Sequence, residues 1–172
     1  MTKQTWRIIG RFLLLMGMQL LVFNYVYLGG YVMPMIYVLF ILMLPTGMKR
    51  IPLLLIAFGT GLIVDVMGNM IGFHALACTV VAMLRILFAD RILTRGEPVT
   101  ITTPSVYSVT PQYFISYVML LLGAFYLVFY TAELFGFRGF GGVLLATVCS
   151  TVVTTILVVL YQVLFLKRKE ES

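Results

Sequence analysis

Histidine occurs once in this sequence and cysteine twice, so the side chains that bind metals or carry nucleophilic chemistry are scarce. Cys78 and Cys149 both fall inside apolar runs, which leaves neither a disulfide framework nor a zinc site. No Ser-His-Asp set, no HExxH and no Walker loop can be assembled from what remains. Charge is scarce too, at 10% of residues. The expectation is a protein that is not an enzyme, with no catalytic residues, no metal and no cofactor.

Apolar sequence fills the space instead. With 62% hydrophobic residues and a mean hydropathy of +1.07, the chain exceeds what a soluble domain can bury, and it reads as an all-α polytopic membrane protein. A pI near 9.5 would suit nucleic acid, but the basic residues flank the apolar runs and form no single patch. They read as topology signals, the lipid bilayer is the implied surroundings, and nucleic acid is not an expected partner.

Six spans are expected, at about 8–28, 31–44, 52–69, 73–88, 112–131 and 141–166, in one domain covering 1–172. The first follows Lys3, Arg7 and Arg11 like the start of a signal peptide, but it lacks a small-x-small cleavage site and reads as uncleaved. Gly29 and Gly30 end it. The second span, 31–44, carries Pro34 near its start and is followed by Pro45. As a helix it would reach only ~21 Å against a hydrocarbon core of ~30 Å. It must be recessed, extended by irregular chain, or placed where the bilayer thins. The segment 89–111 is the long polar loop, and its PVTITTPSVYSVTP stretch favours extended or hairpin-like chain.

A cytoplasmic N-terminus puts Lys3, Arg7, Arg11, Lys49, Arg50, Arg85, Arg91, Arg95, Lys167, Arg168 and Lys169 inside and Arg138 alone outside. That 11-to-1 division of the 12 basic residues satisfies the positive-inside rule and implies a multi-pass protein, N-in and C-in.

The stretch GLIVDVMGNMIGFHA, Gly61 to Ala75, places a carboxylate and the only histidine in apolar sequence. A carboxylate at the bilayer centre costs about 2.5–3.5 kcal/mol on insertion scales, which marks Asp65 as a functional candidate. Four residues before Asn69, however, it lies only ~6 Å from the end of its helix, so it can equally reach water or cap the next helix. Gly61, Asp65 and Gly68 share one face beside Asn69, and small residues there admit a close neighbour. The Gly68 to Gly72 spacing is a GxxxG that runs into the turn, where a dimer motif has no helix to act on.

His74 starts the next span at similar depth, so an Asp65–His74 hydrogen bond is one reading and a histidine facing the headgroups the other. Asp65, Asn69 and His74 together form a candidate ligand or partner pocket, and a paired Asp65 and His74 would respond less than additively to double mutation.

Arg85, near the inner end of its span, is expected to snorkel and fix topology. Tyr113, Tyr117, Tyr126, Phe129 and Tyr130 cluster toward the two ends of span five, as an interfacial belt would. Gly142, Ala146, Ser150 and Thr154 recur every four residues and mark a close helix face, within the monomer or toward a partner.

The run PMIYVLFILMLP, followed by KRIPLLLIAFGTGLIVDVMGNMIGFHALACTVVAMLRILFADRIL, resembles the rod shape-determining protein MreD family. The resemblance rests on the order and spacing of Gly61, Asp65, Gly68, Gly72, His74, Ala75 and Arg85, and length, span count and the loop RGEPVTITTPSVYSVTPQ extend it over most of the chain. It implies a non-catalytic protein of the bacterial inner membrane that binds MreC within the cell-elongation assembly. RodA, a class B penicillin-binding protein and MreB belong to the same assembly, which builds lateral peptidoglycan and sets cell shape.

The family is also similar in fold to the substrate-binding subunits of energy-coupling-factor transporters, six-helix bundles with an outward-opening pocket. Asp65 and His74 would then lie near the mouth of such a pocket. A solute-binding subunit of a vitamin transporter is therefore the alternative. Such subunits dock their energising module through alanine-rich faces of span one, and IIGRFLLLMGMQLLVFNYVYL contains no alanine. That favours the scaffold.

Overall fold

A computed structural model describes residues 3–21, 32–45, 47–93, 104, 110–133 and 140–165. Among these, six helices follow in order: α1 (Lys3–Leu21), α2 (Val38–Leu42), α3 (Arg50–Gly68), α4 (Phe73–Leu93), α5 (Pro111–Glu133) and α6 (Phe140–Phe165). Three of them, α3, α5 and α6 from Gly141, are long and apolar enough to cross a membrane, and Phe73–Phe88 of α4 is a shorter apolar helix. Helix α3, with 19 residues, is about 28 Å long, close to the thickness of a hydrocarbon core. The apolar side chains of Leu55, Val66, Val148 and Ile156, all on outward helix faces, are exposed, as lipid contact requires.

The packing follows the chain. Helix α3 lies against α4, α4 against α5 and α5 against α6, while α2 is held between α4 and α1. Helix α5 presents Phe114, Tyr117, Val118, Leu121, Leu122, Phe125, Tyr126 and Phe129 to the core at helical spacing. Its aromatic rings interlock there: Phe125 is stacked on Phe129 at 6.2 Å between centroids and meets Tyr126 edge-on at 5.4 Å. The expected interfacial belt is therefore corrected. Of its five members only Tyr113 is exposed, and the other four turn inward.

Two boundaries move as well. Helix α4 continues to Leu93, beyond 88 and into the segment read as loop, because MLRILFADRIL contains neither glycine nor proline to break it. The second span takes the reading of a short helix extended by irregular chain, with narrower bounds than 31–44: its helix is five residues long and the chain from 32 to 37 is irregular. Pro34 supplies no backbone donor and biases Met33 away from helical geometry, so a regular helix starts only beyond it. The Gly29–Gly30 break, most of the 89–111 loop, residues 134–139 between the fifth and sixth expected spans, and the tail from 166 lie outside the described residues.

Candidate functional site

Non-helical backbone at membrane depth survives only where protein satisfies its polar groups. Residues 34–44 are almost completely buried, and side chains from three other helices meet their backbone groups. Gln19 of α1 accepts from Ile36 N–H at 2.9 Å and donates to the Pro34 carbonyl at 3.3 Å. Tyr126 of α5 accepts from Met35 N–H at 2.9 Å and donates to the Met33 carbonyl at 2.8 Å. Since its single proton goes to Met33, the Thr154 hydroxyl of α6 is the donor in the 2.5 Å contact to the same oxygen.

The other end is closed by Arg85. Its Nε donates to the Tyr117 hydroxyl at 3.0 Å and its Nη2 to the Leu44 carbonyl, while Tyr117 donates to the Leu42 carbonyl at 3.2 Å. The expectation that Arg85 snorkels to water is corrected: it is 2% exposed and closes the C-terminal end of α2. Carbonyls left free at a helix terminus attract a cation, and here that terminus is inside the bundle.

The α3–α4 corner is built on Gly61 and Asp65, one turn apart on α3. A Cβ on Gly61 would meet Ala75 Cα and the His74 carbonyl oxygen at 2.5 Å, both of them backbone, so no larger residue fits. That close approach brings the α4 N-terminus over the Asp65 carboxylate. Oδ1 accepts from His74 N–H at 3.0 Å and Oδ2 from Ala75 N–H at 2.8 Å. Asp65, 1% exposed, thus caps the neighbouring helix and satisfies two of its free donors with a charge-assisted pair.

The two residues of the anticipated Asp65–His74 pair are joined, but through the backbone of His74. The imidazole turns away, with Nδ1 2.8 Å from the Tyr37 hydroxyl and the ring 4.6 Å from that of Phe129. Cys78 Sγ approaches the same hydroxyl at 3.8 Å. His74 therefore ties α4 to the irregular segment, as Gln19 and Tyr126 do from α1 and α5.

The remaining sequence candidates are placed as follows. Asn69 is exposed and closes α3 in the left-handed region at φ 51°, its backbone N–H directed to the Asp65 carbonyl. Gly72, at φ 87°, makes the turn into α4, and Gly68 is exposed beside Met70. On α6, Ala146, Ser150 and Thr154 are buried and Gly142 partly so; Ser150 is bonded to Tyr130 at 2.8 Å and Thr154 to Tyr126, which turns the stripe toward α5.

Sequence reasoning passes over Tyr37 and Gln19, and it reads Tyr117 only as part of the interfacial belt. Gln19, a glutamine inside the apolar run 8–28, is the available signal for one of them. No group of three or more His, Cys, Asp or Glu side chains suited to a metal occurs among the described residues. Comparison with known protein families, curated proteins and solved structures finds no match to this chain.

Proposed function

We propose that this chain is a non-catalytic integral component of the bacterial cell-elongation (rod) complex. It is a six-span protein of the inner membrane, N-in and C-in, that binds MreC and works with RodA, a class B penicillin-binding protein and MreB in lateral peptidoglycan synthesis. The observation that carries the reading is the use made of its buried polar groups. Both carboxylate oxygens of Asp65 are taken by backbone N–H groups and Arg85 is taken by a carbonyl and a phenol, so the residues behind the MreD resemblance act as clamps.

The same observation weighs against a solute-binding subunit. In transporters with broken helices the unwound backbone is what coordinates ions and substrate. Here Gln19 and Tyr126 already engage the backbone at 33–36. A bundle locked around an inner segment suits a rigid platform for partners.

Affinity purification of the tagged protein from its native membrane is the direct test, with MreC the expected co-purifying protein. A deletion strain should round up. A strain that keeps its shape and loses uptake of one vitamin, with an energy-coupling ATPase in the purification, would reverse the assignment. Reporter fusions at Gly29 and Phe137 should read outside and those at Arg95 and Ser172 inside; any reversal breaks the topology.

A further inference from the structure

His74 stands in the first turn of α4 with its backbone N–H held by Asp65 Oδ1, while Oδ2 holds the N–H of Ala75. Its imidazole reaches across to the irregular segment, where Nδ1 lies 2.8 Å from the Tyr37 hydroxyl. Cys78, one turn further along α4, points Sγ at that hydroxyl from 3.8 Å. Three groups thus share one short chain of protons. A phenol O–H bonds an imidazole nitrogen far better than a sulfur, so Tyr37 donates to Nδ1 and Cys78 donates to Tyr37. The ring's own proton must then sit on Nε2.

A proton added to Nδ1 turns an acceptor into a donor, and two donors then face each other across the contact. Among its described neighbours the Tyr37 proton can turn only to sulfur, a weak acceptor. The charged group beside the imidazole, among the described residues, is Asp65 of α3, and the titratable ones are Tyr37 and Cys78. From α5 comes the Phe129 ring, 4.6 Å away, while Tyr126 and Tyr130 bond their hydroxyls to Met33 and Ser150. Asp65 favours a positive ring, but both of its oxygens are turned to backbone N–H groups. His74 is 6% exposed, so a charge there would also lack water. We propose that the Tyr37–His74 hydrogen bond is a proton-operated latch between α4 and the irregular segment, closed with a neutral imidazole and opened by its protonation. Opening frees the first turn of α4 from Tyr37, while Gln19 and Tyr126 keep the segment in place and Arg85 keeps the Leu44 carbonyl. The N-terminal end of α4 is therefore the end that moves. On the topology proposed above it faces outside, although the latch itself does not depend on that topology.

His74 is the chain's single histidine, so nitrogen-15 labelling of histidine gives one ring to follow. The test is that spectrum, with the thermal midpoint beside it, for the full-length protein in detergent from about pH 8 to about pH 4. A folded form whose Nδ1 accepts cannot bind a proton there, whereas the unfolded ring binds one freely. Stability is therefore full at neutral pH and falls with acid. At the upper end the ring should carry its proton on Nε2 with Nδ1 bare. On acidification both nitrogens should protonate, and the midpoint should fall by several degrees over the same interval. The opposite tautomer at neutral pH, a ring that stays neutral to the acid end, or a level midpoint while the ring protonates would each overturn the latch. His74→Asn, whose amide oxygen can take the Tyr37 proton but cannot titrate, should flatten the fall. An undiminished fall in that variant places the acid sensitivity elsewhere and contradicts the proposal. If His74→Asn does not fold, Tyr37→Phe decides, because it leaves Nδ1 no bond to lose: the fall should shrink at least twofold, and an unchanged one rejects the latch.

Discussion

Two charged residues, Asp65 and Arg85, are buried among the described residues, and they solve the same problem with opposite signs. At one corner Asp65 receives the first N–H groups of α4; at the other Arg85 gives its protons to the Leu44 carbonyl and to Tyr117. Neither enters an ion pair among the described residues. Each instead meets the helix terminus whose partial charge suits it, the anion at an N-terminus and the cation at a C-terminus. The difference is in reach. Asp65 joins residues nine and ten positions on, across a tight turn, whereas Arg85 spans 32 to Tyr117 and 41 to Leu44. The acid corner builds a local hairpin, and the basic corner binds that hairpin to the middle of the fold.

The comparison can be broken at the acid corner first. Gly61→Leu should have the largest effect, above about 3 kcal/mol, because the three atoms nearest the missing side chain are backbone and backbone cannot rotate away. The measure is recovery of folded protein in detergent.

Asp65→Ala should follow, at about 1–3 kcal/mol for each of the two N–H groups left without an acceptor, read as thermal stability. Arg85→Met should cost less, about 1–2 kcal/mol. It leaves the Leu44 carbonyl under-satisfied in place of orphaned N–H groups, and Tyr117 keeps its bond to Leu42. An Arg85→Met penalty larger than that of Asp65→Ala would invert the ranking of the corners. Asn69→Gly, at the left-handed end of α3, should change stability by no more than about 0.5 kcal/mol, whereas a β-branched residue there should be clearly destabilising.

The two corners are unequally legible in the sequence for the same reason. Gly61, Asp65 and His74 lie on either side of one tight turn, so helical spacing alone brings them together, and capping of the next helix is among the roles it allows Asp65. What spacing does not supply is the direction of the imidazole, since Tyr37 lies 37 residues away. Arg85 departs from its expected role because its partners are distant in sequence, and a cation near a helix end ordinarily snorkels.

Tyr117, Tyr126 and Tyr130 of α5 turn inward for a related reason. Aromatics near span ends suit the headgroup region, unless a buried backbone elsewhere needs hydroxyls. Pro34 and Pro45 announce a short second helix, but the extent of irregular chain depends on Gln19 and Tyr126 satisfying it, and beyond a polar Gln19 in apolar sequence nothing local identifies their partners.

The central claim is that the buried polar groups are clamps between segments, with Asp65 holding the backbone of α4 and His74 holding Tyr37. A pair of double-mutant cycles on thermal stability in detergent tests it most directly. Alanine at 74 keeps the N–H that Asp65 accepts, so Asp65→Ala and His74→Ala should be additive within about 0.5 kcal/mol, while Tyr37→Phe and His74→Ala should show coupling of at least about 0.5 kcal/mol. Strong coupling of Asp65 with His74, and none of His74 with Tyr37, would mean that the carboxylate holds the imidazole itself, and the clamp account would fail.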